Sequence, residues 1–188
     1  MTGGIGGSAL WFLSRGSGIV LLVLMTLVVL LGLLTRAGRP LPGLPRFAVA
    51  GLHRNASLLS LAFLAVHIGT AVIDSYVTLG WLDAVLPFTA AYHPLSIGLG
   101  ALSVDLLLAI VVTSLLRQRI GRRIWRFVHS SAYAAWPVAI AHSLALGPDI
   151  GHGFLLWLTL ACIAAPVAAI AWRAWPSISA VPDRQLAA

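Results

Sequence analysis

The sequence predicts an all-α integral membrane protein, a bundle of five transmembrane helices, and three observations predict it. Hydrophobic residues make up 60% of the 188 and charged residues only 9%, with a mean hydropathy of +0.97. A soluble domain needs far more charge to cover its surface. Five apolar stretches reach the roughly 20 residues that a helix needs to cross a hydrocarbon core: Ala9–Leu34, Gly51–Tyr76, Leu95–Leu116, Ile124–Leu146 and Phe154–Trp172. No stretch alternates with a period of two, so helices rather than a barrel are the spanning form.

Each stretch ends at Pro, Gly or Arg: Pro40 and Pro42, Pro87 and Pro94, Gly121, Gly147 and Pro148, and Pro176. All 12 basic residues are arginines, and the chain has neither lysine nor glutamate. Arg36, Arg39, Arg46 and Arg54 fall in or beside the first connection. Arg117, Arg119, Arg122, Arg123 and Arg126 fall in the third, and Arg173 and Arg184 follow the last span. The second and fourth connections hold Asp83 and Asp149 and no basic residue. The positive-inside rule then predicts a multi-pass protein of a bacterial-type cell membrane, N-terminus outside and C-terminus cytoplasmic. Arg15 alone falls on the outer side. The net charge of +7 thus has a membrane explanation, and no basic helix or aromatic-basic strand points to nucleic acid.

Trp11, Trp81 and Tyr92 on the outer side, and Trp125, Trp172 and Trp175 on the inner, read as interfacial anchors in membrane lipid. The glycine-rich N-terminus lacks a basic n-region and its apolar run is too long for an h-region, so the first helix is expected to be retained. No Gly-Lys-Ser/Thr follows those glycines, which excludes a phosphate loop. Cys162 is the sole cysteine, which excludes an intrachain disulfide and a CxxC metal site. Residues 1–176 read as one membrane domain and 177–188 as a short cytoplasmic tail. Neither leaves room for a flavin or nicotinamide module.

Four histidines stand apart from this apolar background. His53 and His67 lie on the second predicted helix, fourteen positions apart, and His129 and His142 on the fourth, thirteen apart. At 1.5 Å per residue each helix offers one imidazole per leaflet, about 20 Å apart. Both helices run from inside to outside, so His53 is level with His129 and His67 with His142. Two such levels match two b-type haems stacked across the membrane between helices two and four, each with two neutral imidazoles on its iron. A step of fourteen returns to within about 40° of the starting direction, whereas a step of thirteen misses by about 140°. Pro137, between His129 and His142, is therefore expected to kink the fourth helix.

Leu52-His53-Arg54 with His67 fourteen on, and Trp125-Arg126-Phe127-Val128-His129 with Tyr133 and His142 beyond, resemble the ferric reductase-like transmembrane domain. Ferric reductases, NADPH oxidases and the haem subunit of the periplasmic methionine sulfoxide reductase system share that domain. The resemblance runs from about Trp11 to Trp172. It implies that His53, His67, His129 and His142 bind two b haems and that electrons pass from a cytoplasmic flavin to the outer face. The chain departs from the oxidases in having no flavin or nicotinamide domain, so a separate donor is expected, a flavoprotein reductase or a quinol. An outer-face redox partner, ferric iron or oxygen is the expected acceptor.

Other polar residues gather around this constellation. Arg15, in Ser14-Arg15-Gly16-Ser17-Gly18, is expected to meet the propionates of the outer haem, its alternative being to snorkel to the interface. Arg54 would do the same for the inner haem or simply set topology. Asp105, mid-span on the third helix, would bond a histidine Nδ1, relay protons or pair with Arg15, its alternative being a protonated carboxyl satisfied by Ser or Thr. Trp136 lies between the two histidine levels and would stand between the haems or merely pack. His93 and His152 flank the outer loops and make no ligand set. The reading that unites these features is a di-haem electron-transfer protein. Its rivals are a non-redox transporter whose His and Asp105 relay protons, and a four-histidine site for bare transition metal. The ~20 Å between levels argues against the latter.

Overall fold

The computed structural model of the chain describes residues 5–37, 45–74, 77–147 and 152–179, and the side chains of 9–35, 45–74, 77–147 and 152–172. Arg39, Pro40, Pro42, Tyr76, Pro148, Asp149 and Arg184 lie outside the described residues, as do the side chains of Arg36, Arg173, Trp175 and Pro176. Every regular element described is helical: α1 (Ile5–Ala37), α2 (Arg46–Ile73), α3 (Pro94–Leu115), α4 (Arg117–Ile120), α5 (Arg122–Ser130), α6 (Ala132–Leu146) and α7 (Gly153–Ser179). Four of these, α1, α2, α3 and α7, are long and apolar enough to cross a membrane. The protein is a multi-pass membrane protein.

The fourth predicted stretch is two helices rather than one kinked one. The break falls at Ser131, and Pro137 sits inside α6 without interrupting it. Pro137 leaves the Tyr133 carbonyl without its helical bond and crowds it, yet α6 runs on to Leu146 packed against α3 and α1. The Ser131 N–H instead bonds the Val128 carbonyl at 3.0 Å, three residues back. A turn of that tighter kind advances the chain by about 120° per residue instead of 100°. That is the sense needed to bring His129 and His142 toward one side. Pro176 likewise does not end α7, which continues to Ser179. Helices packed in a membrane tolerate such prolines because neighbours stabilise the freed backbone.

Helix α1 is the hub. Its backbone lies close to α2, α6 and α7, while α3 packs on α6 and α5. Small residues make the α3–α6 seam: Ala101 and Ser103 are buried on α3 and Ala135 is wholly buried on α6. There the Ser103 hydroxyl donates to the Ala135 carbonyl at 3.2 Å. Small side chains let helix backbones approach, which is how helices associate where no hydrophobic effect separates them from lipid. Among the described residues α2 comes into close backbone contact with α1 alone. The elements that carry the four histidines therefore face one another without touching backbone to backbone.

Residues 77–93 turn across the end of the bundle near the α3 N-terminus. Asp83 fixes the turn, accepting from the Gly80 N–H at 2.8 Å and the Thr89 hydroxyl at 3.2 Å. Phe88, at a positive φ of 69°, lays its ring and backbone on Gly98, where an added Cβ would stand 2.6 Å from the Phe88 nitrogen. Gly98→Ala is therefore expected to destabilise the protein by about 1–3 kcal/mol. Gly51→Ala, with nothing within 4 Å, should stabilise α2 by about 0.5–1 kcal/mol. Thermal unfolding in detergent measures both, and equal effects at the two positions would contradict the packing described.

Candidate functional site

The histidines of the second and fourth predicted helices meet as two pairs. The ring centres of His53 and His129 are 6.2 Å apart, and those of His67 and His142 are 6.5 Å apart. Among the described residues no third His, Cys, Asp or Glu joins either pair. Each pair thus offers two nitrogen donors from opposite sides.

Three of the four imidazoles are seated by one device. His53 Nδ1–H donates to the Val28 carbonyl at 3.1 Å, His67 to Ser14 at 2.8 Å, and His142 to Ser96 at 2.7 Å. Four residues beyond each accepting carbonyl stands a glycine, Gly32, Gly18 and Gly100 respectively. A helical carbonyl already accepts the N–H four residues on but keeps a second lone pair. Helical side chains lean toward the N-terminus, so the residue four positions on would cover that lone pair. Glycine leaves it open. The approach is close: a Cβ at Gly100 would fall 2.6 Å from the His142 ring, one at Gly18 3.0 Å from His67, and one at Gly32 3.5 Å from His53. Because a carbonyl can only accept, Nδ1 must carry the proton in these three rings, which leaves Nε2 bare and able to ligate.

His129 is different. Its Nδ1 is buried without a hydrogen-bond partner among the described residues, and its ring stacks on Trp125, centres 4.9 Å apart at 27°. Trp125, expected at the interface as an anchor, is thus engaged at the site. The glycine seats were not foreseen from the sequence, yet a signal was present. Gly18 and Gly32 are fourteen positions apart, the same spacing as His53 and His67 on the antiparallel neighbour.

A cavity of about 320 Å³ opens beside the His67–His142 pair, lined among others by Arg15, Gly18, Gly100, Asp74 and Tyr92. Arg15 reaches across it: its Nη1–H donates to the Leu146 carbonyl at 3.1 Å, and its guanidinium lies 5.8 Å from the Trp11 ring centre. That carbonyl ends α6, where helix dipoles favour a cation. Arg54 is exposed on α2. Asp105 is half-buried on α3 and lines neither the cavity nor, since the three Nδ1 donors are taken by backbone, a histidine. Trp136 Nε1–H donates to the Thr26 hydroxyl at 3.0 Å, and its ring packs on both buried apolar clusters of the bundle. His93 is exposed at the α3 N-terminus against Tyr92, and His152 is exposed beside the start of α7.

Fold and site together define a helical, multi-pass membrane protein with two stacked, facing histidine pairs. The family model for the ferric reductase like transmembrane component matches residues 17–140, and the chain belongs to that family. The match spans His53, His67 and His129 and stops two residues before His142. No curated protein and no solved structure matches the chain.

The graded closeness of the glycine seats makes a graded prediction. Gly100→Ala, whose Cβ would strike the His142 ring, should destabilise the protein most, by about 1–3 kcal/mol. Gly18→Ala should cost less, and Gly32→Ala, whose Cβ would stand at 3.5 Å from His53, the least of the three. Thermal unfolding of the purified variants in detergent gives the order; a reversed order would contradict the seating.

Proposed function

We propose that the protein is a di-haem b electron-transfer subunit that carries electrons across the bilayer from a cytoplasmic or quinol donor to an outer-face acceptor. The observation that carries this reading is the spacing of the pairs. With metal–nitrogen bonds of about 2.0–2.1 Å, two imidazoles on opposite sides of one metal have ring centres roughly 6–6.5 Å apart. The distances of 6.2 and 6.5 Å suit that arrangement without adjustment. A bare metal site draws three or four ligands from the protein, whereas two opposed imidazoles suit an iron whose other ligands come from a porphyrin.

In this reading His53 and His129 hold the inner haem and His67 and His142 the outer. Haem held by two imidazoles would supply a one-electron ferric/ferrous couple and, with both axial positions filled, is suited to outer-sphere transfer. Helices α5 and α6 together make the fifth crossing. The five exposed arginines of α4 and α5 support a cytoplasmic His53–His129 end. Arg15 offers positive charge at the outer cavity, where the propionates of a haem would be drawn, and Arg54 is the counterpart beside the inner pair. Trp136 ties α1 to α6 between the two levels, and Asp105 lies at intermediate depth on α3.

Two experiments test this. Purified protein should contain two b haems per chain, and His67→Ala or His142→Ala should empty one site while the spectrum of the other survives. One haem or fewer per wild-type chain would sink the two-site reading, and a protein without any Soret band would favour a proton-relaying transporter. The donor is proposed to dock on the arginine-rich face, since charge there steers an acidic partner. Reduction by a cytosolic fraction with NAD(P)H in proteoliposomes should then slow as salt rises. Replacing Arg119, Arg122 and Arg123 by glutamine should slow it severalfold with haem content unchanged. Rapid, salt-independent reduction by quinol alone would reject docking in favour of a membrane donor.

A further inference from the structure

The seat that serves three histidines is missing at the fourth, and the residues that replace it are identifiable. On α1 the seat formed by Ser14 and Gly18 recurs fourteen positions on, at Val28 and Gly32. The same step along α3, from Ser96 and Gly100, reaches Ile110 and Ser114. Serine stands where glycine would have to be, and the Thr113 hydroxyl already lies 3.2 Å from the Ile110 carbonyl. The Ser114 hydroxyl instead accepts from Trp125 Nε1–H at 3.2 Å. Trp125, four residues before His129 and so on the same face of α5, lays its ring along the imidazole at 4.9 Å and 27°. On its other flank the Arg117 guanidinium lies 5.6 Å from its ring centre. The indole is thus held at Ser114 and beside Arg117, and it in turn holds His129, whose Nδ1 is buried with no acceptor among the described residues.

We infer that Trp125, fixed by Ser114, is the positioning residue that seats His129 by stacking, in place of the glycine–carbonyl seat of the other three, and that this exchange raises the potential of the inner haem. The inference rests on the di-haem reading above. A hydrogen bond from Nδ1–H makes an imidazole a stronger base toward its metal, and a stronger base stabilises ferric over ferrous iron. His129 without that bond is the weakest base of the four. The stack supplies the orientation that the bond supplies elsewhere, so direction is kept while basicity is lowered. Removing the indole would let water reach Nδ1 and accept its hydrogen bond, which makes the imidazole a stronger donor and favours the ferric state.

The test is a redox titration of the purified di-haem protein carrying Trp125→Leu, Trp125→Phe or Ser114→Ala. His67→Ala, which removes one of the two outer histidines, serves as the background that assigns the inner signal. Trp125→Leu should lower the inner potential by about a tenfold change in the one-electron equilibrium, 59 mV, with the outer potential unmoved. Trp125→Phe, which keeps an aromatic face, should retain most of the wild-type value, and Ser114→Ala should shift it the same way by less. Loss of the inner haem from Trp125→Leu but not from Trp125→Phe also supports the seat. Unchanged potentials in Trp125→Leu, equal shifts of both haems, or haem loss from the Leu and Phe variants alike would overturn it. Failure of the underlying reading looks different, because wild-type protein would then lack the two haems.

Discussion

A helix in the bilayer has its backbone carbonyls committed to its own N–H groups, while a histidine beside it carries an N–H that must be satisfied where water is scarce. The glycine-uncovered carbonyl answers both demands. It lets one helix accept a hydrogen bond from its neighbour without surrendering its own, and it fixes which imidazole nitrogen is protonated and where the other points. On α1 the device recurs at Gly18 and Gly32, so this one helix orients both histidines of α2. That explains why, among the described residues, α2 needs close backbone contact with α1 alone. On α3 it occurs once, at Gly100, and orients His142.

The rest of the bundle can be understood as what these seats require. Their spacing on α1 must equal that of the histidines on α2, and it does, residue for residue in antiparallel register. The opposite side has no such register. His129 and His142 are thirteen positions apart rather than fourteen, and the chain breaks at Ser131 to bring both inward. Once α5 is a separate short helix, His129 depends on what α5 packs against. That is α3, through Trp125 and Ser114. The asymmetry between the two levels thus follows from a single missing residue in the spacing.

Much of this was legible in the residues. The absence of lysine, the clustering of arginine and the long apolar runs pointed to a helical membrane protein, and the paired histidines to two levels. Tight turns and breaks were less legible. Pro137 was the visible irregularity in the fourth stretch, but α6 runs through it, and the chain breaks at a serine that carries no composition signal. Trp125 looked like an interfacial anchor because its partner, Ser114, lies on another helix. Gly18, Gly32 and Gly100 are small residues among many in a membrane protein, and their role appears only when a neighbour's spacing is laid beside theirs. Asp105, the most conspicuous intramembrane charge, joined none of the histidines.

Whether each facing pair clamps one iron between two imidazoles is tested most directly by electron paramagnetic resonance of the oxidised, purified protein, quantified against its haem content. Essentially all the haem should then be low-spin ferric, in two distinguishable species of equal amount, one for each level. High-spin haem as the major species would mean an iron with an open axial position, and would contradict the pairing of His53 with His129 and of His67 with His142.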